Sequence, residues 1–443
     1  MDESARLVVG KPNIMDREGF LRDVEEILET RIFTNLGPFT VKLENLVRSK
    51  LQVKHAIAVS NASVGLAMAL RAAELTTGGE VILPSYTFIA TAHAVIECGL
   101  KPVFCDCDST THLLRPDEII KHITEDTVAI MAVNLWGLGC DVEGIEEIAR
   151  RHRLSVIYDS AHSFGTRIHN GTPIGNFGDA EVFSLHATKL FNSFEGGIIT
   201  TNNDAMAERL LPMRNFGITG QDEVSSWGSN YKLSEIHAAF AVRQLFHIDE
   251  TIQIYRRNAE LYSKLLEEHK IEGISCWNAR FLNHQGCTHA YVCFEVDGNC
   301  SLSRDALVAM LRERNIYAKR YFFPGIHKCQ PYVRLKTSTK LPSTEQLCRE
   351  VLILPTGTSV LPADIEFIVS LIAKLTKECG VESKQLKVVE DISMDFSHLD
   401  ERRRYLTELR QKYRTLMLAC EDDLHDLEAR MSSTKTELAS NNS

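Results

Sequence analysis

Between residues 50 and 200, short apolar runs alternate with segments of helical period, and this alternation constrains the fold more than any other feature of the chain. "HAIAVS" (55–60), "GEVILPSY" (79–86), "KPVFCDCD" (101–108), "TVAIMAVNLWG" (127–137), "LSVIYDSAH" (154–162), "DAEVFSLHAT" (179–188) and "GGIITTNN" (196–203) predict strands. Helices are expected between them, at 63–75, 88–99 and 141–153. The strand segments are almost continuously apolar, as strands covered on both faces must be. Strands separated by helices therefore predict an α/β fold with a mostly parallel sheet.

After about residue 250 the pattern becomes mixed. Helices are expected at 251–269, 303–316 and 362–378, with a strand at 288–296. The division predicted is a large domain over 1–250, a small α+β domain over 251–380, and a linker plus helix over 381–443. In that last part Leu399, Leu406, Tyr413, Cys420 and Leu427 recur every seven residues. A second row, Leu409, Leu416, Leu424 and Met431, runs beside them. Such a helix has a coiled-coil-like seam, which suits either packing on its own domain or further association through 396–438.

Composition excludes several classes. The net charge is −10 and no basic patch occurs, so nucleic acid is not expected as a partner. No apolar run has the roughly 20 residues of a membrane span. The first residues lack the basic flank and apolar core of a signal peptide. The twelve cysteines contain no C-x-x-C pair, so neither a disulfide framework nor a structural zinc site is expected, and the metal expectation is none. These features predict a cytoplasmic globular protein.

Loops following parallel strands are where α/β proteins bind ligands, and four such places carry chemistry. In "VSNASVGLAMAL" (59–70) a small, hydroxyl-rich turn opens a helix. The Ala62–Ser63 turn suits a phosphate, although Ser63 also suits a simple helix cap. "PSYTFIATAHA" (84–94) places Phe88 where it can stack on a flat ring or join the core. In "VIYDSAHSFG" (156–165) Asp159 ends an apolar strand, so it can pair with a protonated ring nitrogen or cap the next turn, and His162 follows three residues on. In "SLHATKLFNSFEGGIIT" (184–200) Ser184 and His186 lead to Lys189, and a Gly-Gly turn follows. A desolvated lysine there has a lowered pKa and becomes a nucleophile towards carbonyls. A phosphate cradle, a stacking ring, an acid for a pyridinium and a buried amine together are the equipment for pyridoxal 5′-phosphate (PLP).

"PSYTFIATAHA", "YDSAHSFGT", "GDAEVFSLHATKLFNSFEGGIITTNN", "RNFGITG" and "GSNYKLSEIHAAFAVRQL" resemble, in order and spacing, the DegT/DnrJ/EryC1/StrS aminotransferases that act on nucleotide sugars. The resemblance covers roughly residues 25–375. It implies the fold type I (aspartate-aminotransferase-like) architecture and a homodimer with shared active sites. Lys189 and Asp159 are implied as catalytic. Ala62, Ser63, Phe88, Asp159, His162, Ser184 and Lys189 are implied to bind PLP, with Asn230 reaching the cofactor phosphate from the other subunit. Tyr321 and His327, in "KRYFFPGIHKCQPY" (319–332), are implied to meet the sugar nucleotide.

The activity implied is transfer of an amino group from an amino acid, glutamate by resemblance, to a dTDP-linked 3- or 4-keto-6-deoxyhexose. This belongs to aminosugar biosynthesis such as that of lipopolysaccharide O-antigen. Two alternatives stand beside it: a sugar dehydratase of the same family, which carries His in place of the lysine, and a noncatalytic protein acting through its C-terminal helix. "NLWG" (134–137) departs from the family's frequent H-x-x-G, and "SNASVG" from its usual S-G-T-x-A-like turn.

Overall fold

The computed structural model describes residues 6–335 and 340–386, with side chains to 378. Residues Met1–Val381 form one compact unit. Its centre is a seven-stranded sheet. In spatial order the strands are His55–Val59, Gly197–Thr201, Ala180–Ser184, Ser155–Asp159, Thr127–Val133, Glu80–Pro84 and Lys101–Cys105. Gly197–Thr201 pairs antiparallel with both of its neighbours, and all other pairs are parallel. Six strands thus run one way and one runs against them.

The continuous apolar runs have a direct cause. Ile82, Ile130, Val156, Tyr158 and Ile198 enter the core on one face. Their neighbours Val81, Leu83, Met131, Ile157 and Ile199 enter a second core on the other. With successive side chains pointing to opposite faces, burial on both sides leaves no polar position to alternate. The edges follow the sequence reading closely. Predicted helices at 63–75, 88–99 and 141–153 form as Ala62–Ala72, Ile89–Glu97 and Val142–His152.

A second, antiparallel sheet of three strands follows: Ile274–Cys276, Val292–Val296 and Val351–Leu354. It has its own core, built on Phe294, Leu352, Leu354 and Ile368. The chain's first strand, Leu7–Val8, pairs parallel with Ile316–Tyr317 of this later region, a link the sequence reading lacked. The helix expected at 362–378 runs on through Pro362–Leu386, so the first part of the segment read as a linker is helical. The heptad seam of 396–438 lies outside the described residues. Among the described residues no helix is long and apolar enough to cross a membrane.

Candidate active site

Because six strands run the same way, their C-terminal ends meet at one edge of the sheet, and a cavity of about 610 Å³ opens there. Volumes of that order hold a cofactor-sized ligand. Ala62, Ser63, Phe88, Asp159, His162, Ser184, Lys189 and Tyr321 all lie on its wall, although they come from five separate segments of the chain.

Lys189 sits in the loop joining the antiparallel strands Ala180–Ser184 and Gly197–Thr201. Backbone hydrogen bonds close this loop on itself: Leu185 N to Gly196 O at 2.9 Å, Ser193 N to Leu185 O at 2.7 Å, and Lys189 N to His186 O at 2.9 Å. Gly196 has φ of +156°, outside the range most residues adopt, which is why a glycine turns the chain here. From behind, the buried Asn13 donates through Nδ2 to Leu190 O at 2.9 Å, and its carbonyl accepts from Asn192 Nδ2 at 3.2 Å. Asn13 Oδ1 also accepts from Thr358 N and Oγ1, tying the lysine loop to the second sheet's region. Burial lowers the Lys189 amine from its ordinary 10.5 to about 8; Asp159 works against that fall and Lys319 adds to it. Roughly a tenth of the amine is therefore neutral at pH 7, far more than for an ordinary lysine.

Asp159 ends the strand Ser155–Asp159 and is 5% exposed. Its Oδ2 accepts from Thr91 Oγ1 at 2.8 Å, and its Oδ1 from Ala161 N at 3.2 Å. The turn-capping role foreseen for it is present in the bond to Ala161 N, and the residue also faces the cavity. Thr91 is itself bonded to Thr87 Oγ1 at 2.9 Å, so a buried pair of hydroxyls fixes the carboxylate. Burial raises the Asp159 carboxyl, while Thr91, Ala161 and Lys189 oppose the rise.

His162 is buried, and burial, with Lys189 next, pushes its imidazole well below 6.5, so it is neutral. Its ring stacks on Trp136 at 5.4 Å and 25° and meets Tyr291 at 4.5 Å. Trp136 also stacks on Phe322 at 5.4 Å and donates from Nε1 to His112 Nδ1 at 3.1 Å. Trp136, inside "NLWG", is thus the platform under His162. The buried Nδ1 of His162 has no hydrogen-bond partner among the described residues.

The helix Ala62–Ala72 is capped by Asn61, whose Oδ1 accepts from Val64 N at 3.0 Å. Ser63 is therefore not the cap, and its exposed hydroxyl is available to the cavity. The N–H groups of Ala62 and Ser63, in the first turn, have no intrahelical acceptor. The turn packs tightly on Gly197, where a Cβ would come within 2.6 Å of the Asn61 carbonyl carbon and 2.7 Å of Ala62 N. Ser184, at the neighbouring strand end, accepts from His186 N at 3.3 Å.

Two of the expected residues are not on this wall. Asn230 is exposed and bridges to Asn215; its neighbour Tyr231 accepts from Ser60 N at 2.8 Å. The side chain of His327 is 6% exposed; its Nδ1 lies 2.6 Å from Ser85 Oγ and its Nε2 3.7 Å from Glu345. It braces the loop that carries Thr87 and Phe88 instead of lining the cavity. Thr87, Asn134, Lys319 and Phe322 line the cavity although the sequence reading did not single them out. Thr87 stood inside a quoted motif, and Asn134 opened the "NLWG" departure.

The ten described cysteines are free thiols, seven of them buried. Cys105 Sγ comes close to Glu118 and His122, all three ligand atoms lying within 4.8 Å of one another. Burial and the nearby Glu118 raise the Cys105 thiol, and Glu118 is already paired with Lys121, so this group packs as neutral thiol and ion pair.

An amine held partly neutral beside a buried carboxylate, with a helix N-terminus on the same wall, defines a PLP-dependent aminotransferase site of fold type I. The model of the DegT/DnrJ/EryC1/StrS aminotransferase family matches residues 15–373, and the chain belongs to that family. The dTDP-4-amino-4,6-dideoxy-D-glucose transaminase of Shigella dysenteriae is 36% identical over 370 residues, 83% of this chain and 99% of that protein. The GDP-perosamine synthase of Caulobacter vibrioides is 33% identical over 379 residues, 84% and 98% of the two chains. The crystal structure of DesI, determined in the presence of its TDP-sugar product, superposes with a TM-score of 0.79 at 35% identity, covering 86% of this chain and 96% of that one. The cofactor is PLP. The residues present fit it: the Nδ1 of His162, without a partner among the described residues, the open first turn at Ala62–Ser63, and Lys189 with Asp159 on the same wall would each meet one part of the molecule.

Proposed function

We propose that the protein transfers the amino group of L-glutamate to the 4-keto position of a dTDP-linked 4-keto-6-deoxyhexose. The observation that carries the transfer chemistry is Lys189, whose amine is lowered to about 8 in the same cavity as the buried Asp159. The relatives acting on dTDP-4-amino-4,6-dideoxy-D-glucose support the nucleotide and the position. When bound, PLP stores the amino group between the two half-reactions and takes up the electron pair left when the donor's Cα proton departs.

The chain's own residues do the rest. Lys189 Nζ, as a neutral amine, takes the Cα proton from the donor and, in the second half-reaction, returns one to the sugar carbon. Asp159, whose carboxylate accepts from Thr91 and Ala161, keeps the ring nitrogen protonated. Neutral His162 meets the ring hydroxyl, and Phe88, 57% exposed on the wall, covers one ring face. The first turn at Ala62–Ser63 and Ser184 hold the phosphate. Tyr321 contacts the sugar, and His327 acts by holding the Ser85–Phe88 loop.

Two copies form the working unit in this reading. Phe216, Ile218, Val224 and Trp227 are exposed, Trp227 by 94%, on the segment that leads to Asn230. Asn230 lies off the cavity of its own chain, which suits a contact with the phosphate bound by a partner. Residues 1–250 form the cofactor-binding part and 251–380 the small part; the free cysteines suit a reducing cytoplasm. The test is a panel of dTDP-, GDP- and UDP-linked 3- and 4-keto sugars offered to the glutamate-loaded enzyme. The dTDP 4-keto sugar should turn over fastest, and preference for a 3-keto or a GDP- or UDP-linked sugar would refute the substrate assignment.

A further inference from the structure

Lys319 is a second amine on the wall of the cavity that holds Lys189. It is fixed to the small sheet: its N–H donates to Ile353 O at 3.0 Å and its carbonyl accepts from Ile353 N at 2.8 Å. Its Nζ lies 3.5 Å from the Tyr321 hydroxyl and 5.6 Å from that ring's centroid. Among the described residues no carboxylate lies within ion-pair distance of this amine, although it is half-buried. A half-buried cation without an anion is unfavourable unless a ligand supplies one. The cavity's other anion seat, the helix N-terminus at Ala62–Ser63, belongs to a different segment and suits the cofactor phosphate.

We propose that Lys319 Nζ binds the α-carboxylate of the amino-acid donor. This rests on the aminotransferase reading of the site. Two anions could in principle reach it, the donor's carboxylate and the diphosphate of the sugar nucleotide, and position separates them. The α-carboxylate is bonded to the carbon that bears the reacting amine, so it must lie beside Lys189. The diphosphate of a 4-keto sugar is attached at C1, across the ring from the reacting carbon. Lys319 is near enough to Lys189 to disfavour its charge. A carboxylate seated on Lys319 cancels that repulsion, so arrival of the donor makes Lys189 a better proton acceptor when the Cα proton must move.

The test uses holoenzyme carrying Lys319→Met, which keeps the aliphatic stem, and Lys319→Arg, which keeps the charge. Binding of 2-methylglutamate, which has no Cα proton to lose, is read from the cofactor's absorption, and binding of dTDP by calorimetry. Loss of one charge-assisted hydrogen bond predicts about 10- to 100-fold weaker 2-methylglutamate binding in the Met variant, recovery in the Arg variant, and unchanged dTDP binding. Should the Met variant misfold by circular dichroism, Lys319→Gln takes its place. Unchanged 2-methylglutamate binding overturns the assignment. Weakened dTDP binding with unchanged 2-methylglutamate binding also overturns it, in favour of the diphosphate. A wild-type holoenzyme whose spectrum ignores glutamate overturns the aminotransferase reading itself, and the Lys319 assignment falls with it.

Discussion

Replacing Thr91 with Val removes one hydroxyl from a fully buried site and changes the side-chain volume little. That hydroxyl donates to Asp159 Oδ2 at 2.8 Å, and it is the largest influence opposing the effect of burial on the carboxyl. A hydrogen bond to a charged group contributes about 1.5–3 kcal/mol. At about 1.4 kcal/mol per factor of ten, its loss disfavours the ionised carboxyl by roughly 10- to 100-fold and so raises the Asp159 pKa further. The carboxyl must be ionised to keep the ring nitrogen protonated, so activity is lost as pH falls through that pKa. Thr91→Val should therefore move the acid limb of the glutamate half-reaction upward by about 1–2 pH units, with the plateau rate above it largely retained. The assay is stopped-flow absorbance of the half-reaction across pH. A merely structural role for Thr91 would reduce cofactor loading without moving the limb. An unmoved limb in a folded, fully loaded Thr91→Val protein would refute the reasoning.

Other expectations follow from the same geometry. Gly197→Ala should weaken PLP binding at least tenfold, because its Cβ would press on Asn61 and Ala62 at 2.6–2.7 Å and displace the phosphate turn; fluorescence titration of the apoprotein measures this, and wild-type affinity would contradict it. Lys189→Ala should remain folded and lose turnover, while Lys189→Arg should not restore it, since a guanidinium stays charged. The rate at which apoprotein captures PLP should climb with pH and level off roughly one unit above 8, because the neutral amine is the nucleophile and burial lowers its pKa from 10.5 to about 8. A rate still climbing steeply beyond that range would mean that Lys189 is unperturbed.

The sheet was legible because its chemistry is local. Runs such as 81–83 and 156–158 are buried on both faces, so each residue reports its own environment. Asp159 and Lys189 were legible for the same reason: a charged residue directly after an apolar strand, or inside a glycine-bounded turn, stands out from its neighbours. What was not legible depends on distant pairings. Asn13 fixes the lysine loop across 177 residues, and Thr91 reaches Asp159 across 68. Nothing in the residues around Asn13 or Thr91 marks those partners. Lys319 looks like any surface lysine until its backbone is seen pinned to Ile353. Ser63 was ambiguous between cap and ligand because Asn61, two residues earlier, is an equally good cap, and only the structure shows which oxygen takes the Val64 N–H. The helix through 379–386 was missed because those residues carry no apolar stripe, and it extends as a continuation of the packed segment before it.

The central claim is that Lys189 and Asp159 form a working PLP site that accepts an amino group from an amino acid. Its most direct test is the visible absorption spectrum of the purified protein before and after glutamate. A yellow, lysine-linked band that gives way on glutamate addition to the band of the aminated cofactor, and that is missing from Lys189→Ala, is the predicted result. A protein that stays colourless after incubation with PLP, or a yellow one unmoved by glutamate or any other amino acid, would contradict the account.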